Sequence, residues 1–176
     1  MGSTNLLRRV TLAVATGFGL GNAPFASGTF GALLGLPLAV GITVLNGHIY
    51  WQLGICTLLV LLAIPVCGAA EGEFGTKDDG RIVADEYLTL PICVLGLPLA
   101  EMLRDGRILQ GLLLLGTAFV ISRICDIVKP TPARQSQRIP GGAGIVLDDV
   151  FASVYALVLN HGALMFLEGR VFPLFS

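Results

Sequence analysis

Five stretches of the chain are almost continuously apolar: residues 29–45, 53–70, 87–100, 108–121 and 150–167. Polar residues fall between them in short, charge-bearing blocks. A helix needs about 20 apolar residues to cross roughly 30 Å of hydrocarbon. Several of the five are shorter, which predicts tilted, shallow or re-entrant helices. Pro37 and Pro65 lie inside the first two and predict kinks that neighbouring helices accommodate. The third stretch, interrupted by Pro91 and Pro98, is the least regular.

Composition turns this pattern into a class. Hydrophobic types make up 54% of the 176 residues, with 23 glycines besides, and charged types only 13%. Ordinary globular chains are about 45–50% apolar with glycine counted and about 25% charged. So little charge cannot coat a water-soluble body of this size. Disorder is excluded on the same ground, and a net charge of −1 removes the basic footprint that nucleic-acid binding needs. The expected fold is all-α, a polytopic helical membrane bundle with short, partly kinked helices. Residues 1–176 form a single domain on this reading.

The distribution of charge gives the bundle an orientation. If all five stretches cross, the N-terminus and residues 71–86 and 122–149 share one face. That face carries Arg8, Arg9, Lys77, Arg81, Arg123, Lys129, Arg134 and Arg138, against Arg104, Arg107 and Arg170 on the other. The positive-inside rule then places the richer face in the cytoplasm. Arg8 and Arg9 precede an apolar stretch, but Thr11, Thr16, Gly17, Gly19 and Gly21 interrupt it, so a signal peptide is not expected. Cys56, Cys67, Cys93 and Cys125 sit in or beside apolar runs without CxxC spacing, as buried apolar residues do.

Four polar constellations fall on the basic face. Gly17-Phe-Gly-Leu-Gly21 and Ser27-Gly-Thr-Phe-Gly31 lead into the first long apolar run. Their backbone N–H groups could approach an anion, with Thr29 as helix cap or hydroxyl donor, although no lysine completes a P-loop. Asp85-Glu86 borders an apolar stretch, where an unpaired carboxylate is costly unless it sits in a polar cavity or binds a cation. Arg123, Asp126 and Lys129 are spaced three apart on one helix face, and Pro130 ends that helix. Gly141-Gly-Ala-Gly144 leads into Asp148-Asp149, one of which is expected to cap the last helix. Asp85, Glu86, Asp126, Asp148 and Asp149 form an oxygen-rich set suited to Mg²⁺, and Arg123 and Lys129 suit phosphate oxygens. His48 and His161 fall on the opposite face or within a span, so no histidine is placed as a general base.

The blocks Gly28-Thr-Phe-Gly31, Ile82-Val-Ala-Asp-Glu86, Arg123-Ile-Cys-Asp-Ile-Val-Lys-Pro130 and Gly141-Gly-Ala-Gly-Ile-Val-Leu-Asp-Asp149 resemble the phosphatidylglycerophosphatase A family in order and approximate spacing. The resemblance runs from about Leu12 to about Val158. It implies a Mg²⁺-dependent phosphatase of the bacterial inner membrane that converts phosphatidylglycerophosphate to phosphatidylglycerol and phosphate on the cytoplasmic side. Asp85, Glu86, Asp126, Lys129 and Asp149 are then expected to be catalytic, and Asp85, Glu86, Asp126, Asp148 and Asp149 to hold the metal. Gly28, Thr29, Gly31, Arg123 and Lys129 are expected to bind the substrate phosphate. Attack by water and attack by a carboxylate both fit. Two alternatives fit less well. A CDP-alcohol phosphatidyltransferase needs its aspartates within one linked stretch, and a small cation transporter places acids inside several spans.

Overall fold

The computed structural model describes residues 2–175. Among them are eight α-helices and no strand: α1 (Gly2–Ala15), α2 (Ser27–Leu45), α3 (Ile49–Phe74), α4 (Ala84–Thr89), α5 (Leu99–Arg104), α6 (Ile108–Val128), α7 (Ala133–Ser136) and α8 (Gly142–Phe166). Their ends follow from local chemistry. Gly75, in left-handed geometry, closes α3 by donating its N–H to the Glu71 carbonyl at 2.9 Å. Lys129, just before Pro130, closes α6 in the same way on Cys125. Pro37 and Pro65 lie inside α2 and α3.

Four helices are long and apolar enough to cross a membrane: α2, α3, α6, and α8 with its extension to Val171. The fifth expected crossing is not a continuous helix. Residues 87–104 comprise the end of α4, a 3-10 turn at Leu90–Val94, an irregular link and the short α5. Pro91 and Pro98 lack the N–H groups a continuous helix would use. The segment still passes from one end of the bundle to the other, because Arg104 donates to the Val44 carbonyl at the C-terminal end of α2, 3.3 Å away. Residues 75–83 and 105–107 therefore lie at opposite ends of the bundle.

Irregular backbone at membrane depth is tolerated only where protein buries and satisfies it. Leu90, Cys93, Val94, Leu97 and Leu99 are all buried and belong to the main core cluster. The side chains of Gln52 on α3 and Asn160 on α8 reach the broken stretch. Gln52 accepts from the Gly96 N–H at 3.1 Å, and Asn160 donates to the Cys93 carbonyl at 2.8 Å. All four cysteines are free and buried, as expected.

At the end where α2 and α8 begin and α3 and α6 finish, the loops tie together. The Val83 N–H donates to Ala15, Tyr87 Oη to Val14, and Ser27 Oγ to Gly80 at 2.7 Å. Gly142 lets α8 approach the Ile64 carbonyl and Gly68 of α3 with no room for a Cβ.

Candidate active site

Three segments carry acids to this end. Asp85 and Glu86 occupy the first turn of α4, where free N–H groups and the helix dipole favour negative charge. Asp126 lies in the last turn of α6. Asp148 and Asp149 lie inside α8, which starts at Gly142 after Gly141, so neither caps the helix as the sequence suggested. The glycines at 141 and 142 extend the helix back beyond the apolar run and carry both acids into the interior.

Adjacent helix residues diverge by about 100° in direction, which separates the two acids of the pair. Asp149 meets Asp85 and Glu86: one oxygen from each lies within 4.8 Å of the others. Asp85 Oδ1, Glu86 Oε2 and Asp149 Oδ2 are buried without a hydrogen-bond partner among the described residues. Asp148 turns instead to Lys129, which forms an ion pair with its Oδ2, and Gln137 Nε2 donates to the same oxygen at 2.9 Å. Lys129 Nζ also lies 3.8 Å from Asp126, which Arg123 Nη1 contacts at 2.9 Å. The five expected acids thus divide into a converging trio and two that hold cations.

Electrostatics follow the same division. Burial, then the charge of Asp149, push the Glu86 carboxyl up to about 8 against an ordinary 4.5. Burial and the neighbouring Glu86 push Asp85 well above the usual carboxylate range. Burial disfavours the Lys129 ammonium, but the Asp148 ion pair outweighs it and holds the pKa above its usual value. Three crowded carboxyls with spare buried oxygens are the donor set a hard divalent cation takes.

Gly28 lies against this cluster. A Cβ there would run into Glu86 Oε1 and stand 3.2 Å from Arg123 Nη2. Thr29 is half-buried one position on. It does not cap α2, which begins two residues earlier at Ser27 behind Ala26 in left-handed geometry. Gly31 faces Val83, whose side chain occupies the space a Cβ would need. In the Gly17–Gly21 stretch, Gly17 and Gly19 make a tight turn and Gly21 lies against the Arg81 carbonyl, which is packing of loop on loop.

A cavity of about 20 Å³ lies among Glu86, Arg123, Asp126 and Asp149, with Ser122 and Ser153 in its wall. It has room for about one water. A wider one of about 300 Å³, lined by Lys77, Asp78, Gln137, Gly144 and Ile145, adjoins the Asp148 side. Neither histidine reaches the acids: His48 precedes α3 at the opposite end, and His161 is exposed with Nδ1 3.0 Å from the Leu157 carbonyl. Sequence reasoning missed Gln137 and Ser27. Gln137 is a neutral residue in a polar loop and carries no pattern, whereas Ser27 stands in the glycine motif but bonds to a loop distant in sequence.

Comparison with known proteins bears on this geometry. Residues 13–164 match the family described as phosphatidylglycerophosphatase A. The chain is 33% identical over 165 residues to phosphatidylglycerophosphatase A of Escherichia coli K12, covering 92% of this chain and 84% of that protein. It is 32% identical over 165 residues to the Haemophilus influenzae protein of the same name, covering 90% and 94%. A Bacteroides thetaiotaomicron protein provisionally described as a phosphatidylinositol-3-phosphatase is 32% identical over 149 residues, covering 83% and 88%. No solved structure matches.

Proposed function

Because the chain belongs to the phosphatidylglycerophosphatase A family, we propose that the acid-lined end of its bundle is where phosphatidylglycerophosphate is cleaved. The protein is a phosphatase: it hydrolyses the terminal phosphomonoester of that lipid, using one water, to give phosphatidylglycerol and inorganic phosphate. The observation that carries the site is the trio Asp85, Glu86 and Asp149, with one spare buried oxygen on each.

Uncatalysed phosphomonoester hydrolysis is among the slowest known reactions, so the site must neutralise a dianion and stabilise its leaving oxygen. In this reading Asp85, Glu86 and Asp149 hold Mg²⁺. When bound, the ion offsets charge on the phosphoryl oxygens. Lys129 and Arg123 take the remaining phosphate oxygens, with Gly28 and Thr29 at the rim. The N–H groups of Thr29 and Phe30 already donate to the Ala26 carbonyl and Gly31 packs on Val83, so the backbone cradle expected over Gly28–Gly31 does not form. Asp126 and Asp148 place the two cations next to the acid trio. The water-sized cavity among Glu86, Asp126 and Asp149 favours water over a carboxylate as the attacking group, with Asp126 positioned to take its proton.

The same reading puts the site on the cytoplasmic side of the bacterial inner membrane. Support comes from the basic excess at this end and from the four apolar helices. The test uses purified protein in mixed micelles with phosphatidylglycerophosphate. Wild type should release phosphate and form phosphatidylglycerol in equal amounts. Asp85→Asn and Asp149→Asn should each lose most of that turnover with helix content intact. Wild-type rates from both variants would remove the trio from the mechanism.

A further inference from the structure

We propose that Phe18, Leu20 and Phe25, on the turn between α1 and α2, form an interfacial anchor. It inserts into the phospholipid leaflet that carries the substrate and sets the depth at which Asp85 and Glu86 meet a lipid phosphate. This rests on the membrane reading above.

Phe18 is 76% exposed, Phe25 70% and Leu20 39%. Single exposed apolar residues are ordinary, but three on one short connection make a patch. Phe18 also holds φ at 56°. Left-handed geometry is rare for a bulky side chain and persists only where the surroundings impose it. Three other non-glycine residues among those described share positive φ: Ala26, Asp78 and Lys129. Each adjoins the site, since Ala26 caps α2 before Gly28, Asp78 lines the wider cavity and Lys129 pairs with Asp148. Phe18 brings no polar group to the site, and what its geometry delivers is an exposed aromatic ring.

The turn is tied to the acids. The Phe18 N–H donates to Ala13 at 2.7 Å, and the Val83 N–H to Ala15 at 2.9 Å. A Cβ on Gly17 would stand 2.9 Å from the Val83 side chain, and Gly21 lies against the Arg81 carbonyl. Val83 is the cap of α4, two residues before Asp85. The turn is therefore packed directly on the segment that opens α4, which links its depth to that of the acid pair.

A phospholipid leaflet is the occupant the surroundings fit. Ser27, the first residue of the apolar α2, follows Phe25 by two positions, so the patch continues the surface the bundle presents to lipid. On the other side α1 exposes Leu6, Leu7 and Val10 beside Arg8 and Arg9. That combination suits a helix lying in the headgroup plane of an anionic leaflet.

The test places a single tryptophan at the turn, Phe18→Trp in a Trp51→Phe background, in vesicles of phosphatidylethanolamine and phosphatidylglycerol. Lipids brominated near the headgroup should quench its emission more than lipids brominated near the chain terminus, and the emission should shift to the blue. Water-like emission without quenching by either lipid would overturn the proposal, including in favour of a protein partner. This arm does not depend on any phosphatase activity, so it fails separately from the functional reading. A second arm uses Phe18→Ser with Phe25→Ser. KM for vesicle-borne substrate should rise on the order of tenfold, since two buried rings are lost from the interface. The rate on a short-chain, dispersed substrate should stay within about twofold of wild type. Equal loss on both substrates, or on neither, would also overturn the anchor.

Discussion

Replacing Gly28 with alanine is the most economical probe of the site, because it adds one methyl group and no charge. The Cβ would overlap Glu86 Oε1, lie 3.3 Å from Glu86 Cδ and 3.2 Å from Arg123 Nη2. What must give is the end of a flexible side chain, so Glu86 retreats by about 1 Å to reach ordinary contact distance. Gly28 is the second residue of α2 and needs no left-handed geometry, so alanine adds no backbone strain there. A misplacement of about 1 Å in a reacting group costs on the order of 10²-fold in rate, or about 2.7 kcal/mol of barrier. Gly28→Ala should therefore be stably folded and about 10²-fold slower. Gly31→Ala is the matched control. Its Cβ meets the β-branched Val83, with both Cγ atoms at 3.0 Å, and overpacking of this kind costs about 1–3 kcal/mol. That variant should lose stability more than turnover. The assay is phosphate release at saturating substrate, with helix content followed during denaturation. Wild-type turnover from Gly28→Ala, or a greater kinetic loss from Gly31→Ala, would refute the placement of Glu86 at the reaction centre.

Other expectations follow from the same contacts. Lys129→Ala should lower saturated turnover by at least about 10²-fold, the loss of one electrostatic donor, with little change in Mg²⁺ requirement, whereas Asp149→Asn, which removes one member of the trio, should raise that requirement. Rate against Mg²⁺ concentration separates them, and a Lys129→Ala variant that shifts only the metal requirement would contradict its role. Glu86 keeps its proton up to about 8 in the folded protein but loses it near 4.5 when unfolded, so the folded state binds more protons between those values. Stability of the cation-free protein should then fall as pH rises through that window, and Mg²⁺ should offset the fall. Thermal unfolding in chelator at about pH 5 and about pH 8 reads the sign. Asn160→Leu should cost about 1–3 kcal/mol, because the Cys93 carbonyl loses its buried donor; unfolding in graded detergent mixtures measures it. Cysteines placed at Lys77 or Gln135, in a chain without native cysteines, should react with an impermeant reagent only after cells are opened. Those at Gly47 or Gly106 should react in intact spheroplasts, and the reverse pattern would invert the assigned orientation.

The charged residues were legible in the sequence because each is expensive in so apolar a chain and stands out for that reason. Asp85-Glu86, the three-residue spacing of Arg123, Asp126 and Lys129, and Asp148-Asp149 all reach one end of the bundle. Their partition was not legible. It depends on the rotation between neighbouring residues of α8 and on which group stands opposite each one. The path of residues 87–104 was hidden for a related reason. Pro91 and Pro98 signal a break, but only Gln52 and Asn160, distant in sequence, make that break tolerable in the interior. The starts of α2 and α8 were misplaced because they rest on Ala26 and Gly141, backbone geometry that leaves no mark in hydropathy. Gly31 shared a motif with Gly28 yet serves close packing on Val83, a difference set by which way each faces on α2.

The most direct test of the account is phosphate release from phosphatidylglycerophosphate by the purified protein, first in excess chelator after dialysis and then with Mg²⁺ restored. The trio of buried carboxylates predicts that turnover disappears in chelator and returns with Mg²⁺, and that Asp149→Asn fails to recover at the same concentration. Undiminished phosphate release in chelator would contradict a metal site at Asp85, Glu86 and Asp149.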